Sequence, residues 1–300
     1  MPKLTVVGSI STDFVIETDK QPLTGETVEG NHFSTSFGGK GANQAIAAAR
    51  LGAEVSMVGA VGKDSFGKDL LDNLSDHNVS IKGVEKVDEP SGTAFITLHK
   101  GDNSIIYVPG ANGSYNSERL QTFMKDKQTI QTSDLVMVQN ETPEDTVHQL
   151  IETCFKWEVP LLLNPAPARS LDTDLIEKVT FLTPNETECA VLFPDEEMED
   201  VLKRYPNKLI ITLGSKGAIF FDGESIQHVL SLEVKNVVDT TGAGDTFNGA
   251  FAFAYTSGFS IKESIQFANF AAGLSIQKMG AQSGSPTLEE LKKSAGFNEE

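Results

Sequence analysis

The sequence predicts an α/β protein in which a mostly parallel sheet is covered by helices on both faces. Along most of the chain, short apolar runs alternate with segments of helical spacing, and this alternation is typical of parallel sheets. Two other segments, 14–37 and 93–108, are strand-like and contain no predicted helix. Several polar motifs directly follow predicted strands, where ligands bind in sheets of this kind.

Each element follows from its local pattern. Buried strands are predicted from apolar runs at residues 3–10, 55–61, 134–139, 159–164, 181–183 and 209–213. Helices are predicted from the spacing of apolar residues at 41–51, 65–78 and 143–157.

The two segments that break the alternation would form a small second sheet. Segment 93–108 is expected to be a hairpin that turns at Gly101, Asp102 and Asn103. Placed beside a ligand site, this sheet would serve as a lid or as a dimer surface. The chain has no low-complexity linker and no obvious internal repeat, so residues 1–300 are expected to form one domain.

Composition argues against several classes of function. The net charge of −18 argues against a broad nucleic-acid surface. No stretch approaches the roughly 20 apolar residues of a membrane span, and the N-terminus lacks the pattern of a signal peptide. Cys154 and Cys189 are expected to be reduced and buried in a cytoplasmic protein. The five histidines form no zinc-binding pattern.

Residues 239–249, Asp-Thr-Thr-Gly-Ala-Gly-Asp-Thr-Phe-Asn-Gly, are the most informative stretch of the chain. A β-branched run at 234–238 precedes them and an Ala-rich apolar run at 247–255 follows. This order predicts a strand, a glycine turn and a helix. Gly242 and Gly244 let successive backbone N–H groups point into one concavity at the helix start, which is a place that attracts phosphate.

Asp245 follows these glycines and has two interpretations. A carboxylate at the lip of an anion site would act as a base in phosphoryl transfer to a hydroxyl. The alternative is an ordinary helix N-cap, a position that Asp favours. The chain contains neither the Gly-x-x-x-x-Gly-Lys-Ser/Thr loop nor the Gly-x-Gly-x-x-Gly fingerprint, so a kinase on this chain would have a different architecture.

A second glycine-rich stretch, residues 37–44, opens a predicted helix with Phe-Gly-Gly-Lys-Gly-Ala-Asn-Gln. It is either a flexible helix entry or a place of close backbone approach to a ligand, with Lys40 and Asn43 as hydrogen-bond donors. Asp13 follows a predicted strand and would accept hydrogen bonds from paired hydroxyls, unless it is a turn residue. Glu141 follows another strand and is either a ligand or a helix cap.

Three further segments have both a structural and a functional interpretation. Residues 185–188, Asn-Glu-Thr-Glu, are either an acidic helix start or a site that holds Mg²⁺ through waters and phosphate oxygens. Residues 212–217, Thr-Leu-Gly-Ser-Lys-Gly, are either a hairpin turn or a phosphate contact made by N–H groups and Lys216. Asn269 lies in an Ala-rich helix and is either a packing residue or a ligand.

Together these motifs resemble the signatures of the PfkB family of carbohydrate and nucleoside kinases. Residues 239–249 look like the C-terminal signature of the family. Residues 38–45, Gly-Gly-Lys-Gly-Ala-Asn-Gln-Ala, resemble the N-terminal signature in its ribokinase form. The likeness runs in order from residue 4 to about residue 290. Further stretches similar to ribokinases are 164–168, 183–188 and 280–282.

The resemblance implies a three-layer α/β/α domain with a β-sheet lid that forms the contact of a homodimer. It implies transfer of the γ-phosphate of ATP to the 5-hydroxyl of D-ribose, with Mg²⁺ and a monovalent cation, usually K⁺. By position, Asp245 corresponds to the catalytic base, and Gly242, Ala243 and Gly244 to the anion hole. The sugar-binding positions of the family match Ser11, Thr12, Asp13, Gly39, Lys40, Gly41, Ala42, Asn43 and Glu141.

The resemblance also implies a nucleotide site and a cation site. The nucleotide positions match Asn185, Glu188, Thr212, Leu213, Gly214, Ser215, Lys216, Gly217, Gly244 and Asn269, of which the first two also match the motif linked to Mg²⁺. The K⁺ ligands, several of them backbone carbonyls, would be Asp239, Thr241, Ser275, Lys278, Gly280 and Gly284. The chain departs from the family at Ser11, where Asn is usual, and at Gly284, where Ser is frequent.

Two other functions fit the same sequence. A kinase for another sugar or nucleoside, such as fructose, deoxyribose, adenosine or pseudouridine, would carry the same signatures. A non-catalytic regulator would bind a sugar or nucleotide on the same scaffold. Asp245 argues against the regulator, because a protein that only binds needs no base beside its anion hole.

Overall fold

The computed structural model describes residues 1–99, 102–126 and 128–294. The strands, in chain order, are β1 Lys3–Val7, β2 Ser11–Glu17, β3 His32–Gly38, β4 Glu54–Gly62, β5 Val79–Val87, β6 Gly92–His99, β7 Asp102–Val108, β8 Leu135–Gln139, β9 Leu161–Asn164, β10 Phe181–Leu182, β11 Ile210–Thr212, β12 Ala218–Phe221 and β13 Ile226–Val229. The helices are α1 Lys40–Arg50, α2 Ser65–Asp76, α3 Ala111–Ser114, α4 Ser117–Asp126, α5 Glu144–Trp157, α6 Thr173–Lys178, α7 Glu186–Leu192, α8 Met198–Arg204, α9 Ala243–Thr256, α10 Ile261–Ser275 and α11 Leu288–Ser294.

Six parallel strands form the central sheet in the order β10-β9-β8-β1-β4-β5. Most of these strands are nearly continuous apolar runs because both faces of the sheet are covered. In β8 the side chains alternate: Leu135 and Met137 pack into one hydrophobic core, and Val136 and Val138 pack into the other. The central domain therefore has three layers, with helices on either side of the sheet.

Amphipathic helices supply the two outer layers. Helix α9 packs against α1 and α10 on one face, where Ile46 and Phe251 are fully buried. Helix α5 covers the opposite face with Leu150 and Ile151. Helices α1 and α9 begin at the carboxyl edge of the sheet, so the two glycine-rich motifs that precede them are brought together.

A separate sheet contains β3, β2, β6 and β7 in that order. Strands β2 and β6 run parallel, and the two outer pairs are antiparallel. One face of this sheet carries exposed apolar side chains, including Phe33, Phe95 and Ile106. Asp13 lies on the other face, because successive side chains of a strand alternate. A third, antiparallel sheet of β11, β12 and β13 continues the central sheet beyond β10 through isolated parallel bridges.

The predicted alternation of strands and helices is confirmed, with bounds that differ by a few residues. Segments 14–37 and 93–108 supply most of the four-stranded sheet. Strand β7 begins at Asp102, so Asp102 and Asn103 lie in the strand instead of the turn, while Gly101 lies outside the described residues.

Both cysteines are free and buried, as predicted. Burial raises the pKa of the Cys154 thiol to about 12 and that of Cys189 to about 11. In the described parts of the chain, no helix has both the length and the apolar character that crossing a membrane requires.

One predicted strand is wrong. Residues 234–238, which precede the glycine turn, have no regular structure. Val237 and Val238 are 56% and 54% exposed, and the Val238 N–H donates to the carbonyl of Ile276 at 2.8 Å instead of to a strand. A β-branched composition favours a strand only where a neighbouring strand and a buried face are available.

Candidate active site

The polar motifs meet at the carboxyl edge of the central sheet. Gln139 ends β8 and Asn164 ends β9. Gln139 Nε2 donates to Gln44 Oε1 at 2.6 Å, and Gln44 Nε2 donates to Asn164 Oδ1 at 3.0 Å. The start of α1 is therefore fixed by side chains to the ends of two central strands.

Asp245 lies in the first turn of α9, two residues after Ala243, the first residue of the helix. The N-cap is Gly242, which has a φ of 76°. A Cβ on residue 242 would lie 2.5 Å from the Cβ of Ala281, so both the dihedral angle and the neighbour require glycine. The alternative in which Asp245 caps the helix is wrong.

Two amide side chains of α1 bind the Asp245 carboxylate. Asn43 Nδ2 donates to Oδ2 at 2.9 Å, and Gln44 Nε2 donates to Oδ1 at 3.0 Å. Asp245 is only 7% exposed. Neutral donors fix the direction of the carboxylate without neutralising it, and an ionised carboxylate has about four lone-pair sites, so it can still accept a hydrogen bond from a ligand.

The backbone around Asp245 offers N–H groups to an anion. The N–H groups of Gly244 and Asp245 lie in the first turn of α9, where no intrahelical carbonyl accepts them. The N–H of Ala243 instead donates to the carbonyl of Thr240 at 3.3 Å. A Cβ built on Gly244 would meet no atom within 4 Å, so this end of the helix borders open space. The helix dipole favours a negative charge at that place.

Asp13 of β2 is the second carboxylate of the site. It accepts a hydrogen bond from Ser11 Oγ at 3.3 Å. Burial raises the pKa of Asp13 to about 6, against the lowering effect of the Ser11 hydrogen bond, and the negative charges of Glu141 and Asp245 raise it further. Three carboxylates therefore lie near one another, and the hydroxyl groups of a polyol are suitable donors for them.

Glu141 and Lys40 lie beside these groups. Glu141 Oε2 accepts hydrogen bonds from Ser9 Oγ and from the backbone N–H of Lys40, the latter at 3.0 Å. The negative charge of Asp245 is the main cause that raises the pKa of Lys40, with support from Glu141 and Glu188 and against the effect of burial. The ammonium therefore stays protonated and offsets part of the charge of the carboxylates.

The glycines at the start of α1 are explained by packing within the protein. Gly39 has a φ of 88°, and a Cβ there would lie 2.7 Å from the carbonyl oxygen of Ser9. A Cβ on Gly41 would lie 2.6 Å from backbone atoms of Gly8 and Ser9. The interpretation of this stretch as a close backbone approach to a ligand is not needed to account for its glycines.

Three predicted sugar contacts are not brought to the carboxylates. Thr12 points to the opposite face of β2 from Ser11 and Asp13, because neighbouring side chains in a strand alternate. Gly41 and Ala42 are buried in the first turn of α1, and Ala42 belongs to the hydrophobic core. The Thr12 side chain therefore faces away from the carboxylates, and any contact of Gly41 or Ala42 with a sugar would have to be made by the backbone, so the three positions stay predictions.

Sequence reasoning missed Tyr107 of β7. Asp13 pairs with Ala94, and Ala94 pairs with Tyr107, so the three side chains point to the same face of the four-stranded sheet. The Tyr107 hydroxyl lies 3.3 Å from Asn112 Nδ2. Burial is the main cause that raises the pKa of Tyr107, and Glu141 and Asp13 raise it further. The proximity of Tyr107 to Asp13 follows from the strand register and could not be read from the sequence.

The turn at 212–217 joins β11 to β12 and contains a short 3₁₀ helix, Gly214–Lys216. The hairpin interpretation is confirmed. Three of its N–H groups donate to carbonyls within the turn at 2.7 to 3.1 Å. The N–H groups of Gly214 and Ser215 have no such acceptor, and the Lys216 side chain is exposed.

Asn185 and Glu188 form a capping box at the start of α7. Asn185 Oδ1 accepts from the Glu188 N–H, and Glu188 Oε2 accepts from the Asn185 N–H, each at 2.8 Å. The helix-start interpretation is therefore confirmed. In residues 1–99, 102–126 and 128–294, no group of three or more His, Cys, Asp or Glu side chains is arranged to hold a metal ion.

Asn269 packs inside the protein. Its Nδ2 donates to the carbonyl oxygens of Val229 and Leu230 at 2.8 and 3.2 Å, which ties α10 to the end of β13. The residue is buried. The amide nitrogen of Asn269 thus has a packing role, and the nucleotide contact stays a prediction.

Asp239 joins the two segments that carry the predicted cation ligands. Its carboxylate accepts hydrogen bonds from the N–H groups of Thr241 at 2.9 Å and of Gly280 at 2.8 Å. Each carboxylate oxygen therefore accepts from one backbone donor, and the loop before α9 is fixed against the loop after α10.

Backbone carbonyls converge beside Gly284. A Cβ built on Gly284 would lie 2.7 Å from the carbonyl oxygens of Ser275 and Gly280 and 3.6 Å from that of Lys278. A serine at this position would crowd these oxygens. The convergence of carbonyl oxygens is the type of donor set that hard cations take.

This arrangement, a helix start with free N–H groups and a buried carboxylate beside it, agrees with the comparison with known proteins. A family model described as pfkB family carbohydrate kinase matches residues 1–288. The chain belongs to the pfkB family of carbohydrate kinases.

Individual relatives extend over nearly the whole chain. A ribokinase of Lactococcus lactis is 50% identical over 294 residues, which cover 97% of this chain and 96% of that protein. A ribokinase of Bacillus subtilis is 46% identical and covers 98% of this chain and 99% of its own. The structure of Arabidopsis thaliana ribokinase complexed with ribose and ATP is similar with a TM-score of 0.89, 34% identity and 99% of both chains covered. The predicted family and fold class are confirmed.

Proposed function

We propose that this chain transfers the γ-phosphoryl group of ATP to the 5-hydroxyl of D-ribose, with D-ribose 5-phosphate and ADP as products. The observation that carries the proposal is the buried Asp245 carboxylate, which lies beside the N–H groups that begin α9 and near Asp13 and Glu141. The relatives that are 46–50% identical and are named ribokinase support the choice of sugar.

In this proposal Asp245 accepts the proton of the 5-hydroxyl. The hydroxyl oxygen forms a bond to the γ-phosphorus while the bond between that phosphorus and the bridging oxygen of ADP breaks. The N–H groups of Gly244 and Asp245 stabilise negative charge on the transferring phosphoryl group. Asn43 and Gln44 keep the base in one orientation, so most of the rate enhancement comes from positioning and electrostatics.

The sugar is bound by the carboxylates that lie near one another at this site. Asp13 and Glu141 accept hydrogen bonds from sugar hydroxyls, and Lys40 donates one. Ser11 stands where the family usually has Asn, and its hydroxyl keeps Asp13 oriented. Because Asp13 titrates near pH 6, it is ionised and able to accept at neutral pH.

ATP extends from the start of α9 to the turn at 212–217. The N–H groups of Gly214 and Ser215 and the exposed Lys216 side chain contact its phosphates. Asn185 and Glu188 would lie near Mg²⁺ and hold it indirectly, and the ion would offset negative charge on the phosphates, since Mg²⁺ takes few protein ligands.

The carbonyl oxygens of Ser275, Lys278 and Gly280 would hold a monovalent cation, K⁺. The convergence of these oxygens beside Gly284 supports this assignment. Because Asp239 fixes the 280 loop to the segment before α9, the cation would add a positive field near the anion hole without contacting the substrate.

The four-stranded sheet is proposed as a lid that contacts a second copy of the chain. Its outer face exposes Phe33, Phe37, Phe95, Ile106 and Val108. A contiguous apolar surface of this kind marks an interaction site. Sedimentation of the wild-type protein is expected to give a dimer, and Ile106→Asp is expected to shift it toward the monomer; a monomeric wild-type protein would contradict this part of the proposal.

An acceptor panel tests the proposed function. ADP release is measured with Mg²⁺ and K⁺ for D-ribose, 2-deoxyribose, D-fructose, adenosine and pseudouridine. The expected result is the highest kcat/KM for D-ribose. A higher value for another acceptor would assign the chain to that acceptor. Calorimetric binding of ribose without any ADP formation would instead indicate a non-catalytic regulator. Repeating the panel with Na⁺ in place of K⁺ is expected to lower kcat/KM.

A further inference from the structure

Two series of hydrogen-bonded side-chain amides end on the two carboxylate oxygens of Asp245. Every link is a hydrogen bond in which one amide nitrogen donates to the next oxygen. The first series, from the outside inward, contains Gln139 and Gln44. The second contains Asn73, Gln282 and Asn43. They come from α1, α2, the end of β8 and the segment after α10, so distant parts of the sequence converge on one carboxylate.

Gln139 and Asn164 together favour the orientation in which the nitrogen of the Gln44 amide faces Asp245, since the nitrogen of Asn164 donates to the carbonyl of Thr183 and its oxygen faces Gln44. Gln139 Nε2 donates to Gln44 Oε1 at 2.6 Å, so that oxygen is occupied. The nitrogen of Gln44 then donates to Asp245 Oδ1 and to Asn164 Oδ1, each at 3.0 Å. If the Gln44 amide were rotated by half a turn, its oxygen would face two other oxygens and its nitrogen would face the Gln139 nitrogen.

The second series of amides orients the side chain of Asn43. Asn73 Nδ2 donates to Gln282 Oε1 at 2.8 Å, and Gln282 Nε2 donates to Asn43 Oδ1 at 2.9 Å. Asn43 Nδ2 is thereby left to donate to Asp245 Oδ2. Gln282, Asn43 and Asp245 are buried, where an unpaired polar group is costly, so the directions of these bonds are enforced.

We infer that Gln44, oriented by Gln139, is a positioning residue that aims the Asp245 carboxylate, and that Gln282 has the same role through Asn43. The inference rests on the proposed function, in which Asp245 is the base. Neutral donors suit this task because they hold the carboxylate in place and leave its negative charge for the proton. Gln44 and Gln139 act through Asp245 and make no contact with the reacting atoms.

A double-mutant cycle between Gln44 and Asp245 tests the inference. Gln44→Met keeps the length of the side chain and removes both donated hydrogen bonds. It is expected to lower kcat by about 10- to 100-fold with KM values for ribose and ATP changed by less than about threefold, because a small misplacement of a catalytic group is costly. In the Asp245→Asn background the same substitution is expected to change the residual kcat by less than about twofold.

Losses that multiply in the double variant would mean that Gln44 supports the structure in general and does not act through Asp245, and the inference would be overturned. A wild-type protein without activity on any acceptor would refute the proposed function and this inference with it. An active wild-type protein in which Gln44→Met keeps its kcat would refute the inference alone.

Two further variants keep the test decisive. Gln139→Met removes one hydrogen bond, since Gln139 Oε1 has no partner among the described residues, and it replaces Gln44→Met in the cycle if that variant does not fold. Its kcat is expected to fall by about three- to tenfold. Gln149→Met removes an amide of α5 that donates to Thr153 and accepts from Gln121, away from the candidate active site, and its kcat is expected to equal that of the wild type.

Discussion

The acceptor half and the nucleotide half of the candidate active site are built in different ways. In the acceptor half, Asp13, Glu141 and Asp245 are at least partly buried, and each carboxylate already accepts hydrogen bonds from neighbouring side chains or backbone groups. In the nucleotide half, Gly214 to Lys216 are exposed, and Asn185 is exposed and caps its own helix. The acceptor half therefore depends on oriented side chains, and the nucleotide half depends on backbone N–H groups.

The difference predicts how substitutions will act. Oriented carboxylates can discriminate one hydroxyl pattern from another, because each has a defined set of free lone pairs. Backbone N–H groups bind any phosphate of the right shape and are not removed by changing a side chain. Variants in the acceptor half should lower kcat/KM for ribose by one or more orders of magnitude, and variants in the nucleotide half should change the kinetic constants by small factors.

The largest effect is expected for Asp245→Asn. The asparagine keeps the size of the side chain but cannot accept the proton, so kcat should fall by about 10²- to 10⁴-fold. Single-turnover formation of ribose 5-phosphate measures this loss. The dissociation constant for ribose serves as the control and should change by less than about threefold. Turnover within an order of magnitude of the wild type would rule out Asp245 as the base.

Asp13→Asn should mainly weaken sugar binding. The variant loses one charged acceptor, and a hydrogen bond to a charged group is worth about 1.5–3 kcal/mol, so KM for ribose should rise roughly 10- to 100-fold. Steady-state kinetics should give a kcat close to that of the wild type. Asp134→Asn, which removes a carboxylate bonded to the Lys3 N–H, is the matched control and should leave both constants unchanged. An unchanged KM with a reduced kcat would place Asp13 in the chemical step.

Gly244→Ala should lower kcat without affecting stability. A Cβ at this position meets no protein atom within 4 Å, so the methyl group would occupy the space proposed for the phosphoryl group and lower kcat about tenfold. Gly242→Ala is the contrasting variant: its φ of 76° and the nearby Ala281 should reduce the free energy of unfolding by more than about 1 kcal/mol. A Gly244→Ala protein with full activity would contradict the proposed anion hole.

The titration of Asp13 gives a pH-dependent prediction. Burial raises its pKa from 3.8 to about 6. At a pH between these two values, Asp13 is therefore protonated in the folded protein and ionised in the unfolded chain. The contribution of Asp13 to the free energy of unfolding is therefore fully present below pH 4, where the carboxyl group is protonated, and is lost as the pH rises through 6. Asp13→Asn should therefore melt a few degrees higher than the wild type at pH 8 and at nearly the same temperature at pH 4.

The same titration should affect binding in the opposite direction. The protonated carboxyl group has lost an acceptor site, so KM for ribose should rise as the pH falls below 6, and this rise should be absent in Asp13→Asn. Two results would contradict the raised pKa of Asp13. One is a difference in melting temperature that does not vary with pH, and the other is a KM for ribose that rises equally in the wild type and in Asp13→Asn.

The smallest effect is expected for Asn185→Ala in the nucleotide half. Loss of the capping box should reduce the free energy of unfolding by about 1 kcal/mol. KM for ATP should rise by less than about fivefold, and KM for ribose should not change. Ser260→Ala disrupts a second capping box, at the start of α10, and should cost similar stability without any effect on ATP. A rise in KM for ATP above about 50-fold would make Asn185 a principal nucleotide ligand.

Most of the fold could be predicted from sequence because its signals are local. Strands such as β8 and β9 are apolar throughout, since both of their faces are covered, and the intervening helix α5 has clear helical spacing. The exception is segment 234–238, whose valines resemble a strand. The structure provides no neighbouring strand there, and sequence composition cannot supply that information.

The candidate site could be predicted only in part. Asp245 was found because it follows a glycine turn, and Asp13 was found because it was expected to follow a strand at 3–10, although in the structure it lies within β2. Tyr107 and Gln282 were missed, because they approach the site through strand register or through contacts between residues far apart in the chain. The opposite orientation of Thr12 could not be read from its proximity to Asp13 in the sequence, because only the formation of β2 makes alternate residues face opposite sides.

Calorimetric titration of ribose into the protein without nucleotide tests most directly whether the acceptor half is complete by itself. The expected result is a saturable heat with a dissociation constant of the same order as KM for ribose, in the wild type and in Asp245→Asn alike. Heat that develops only when a non-hydrolysable ATP analogue is also present would contradict the account, because the sugar site would then have to be assembled by the nucleotide.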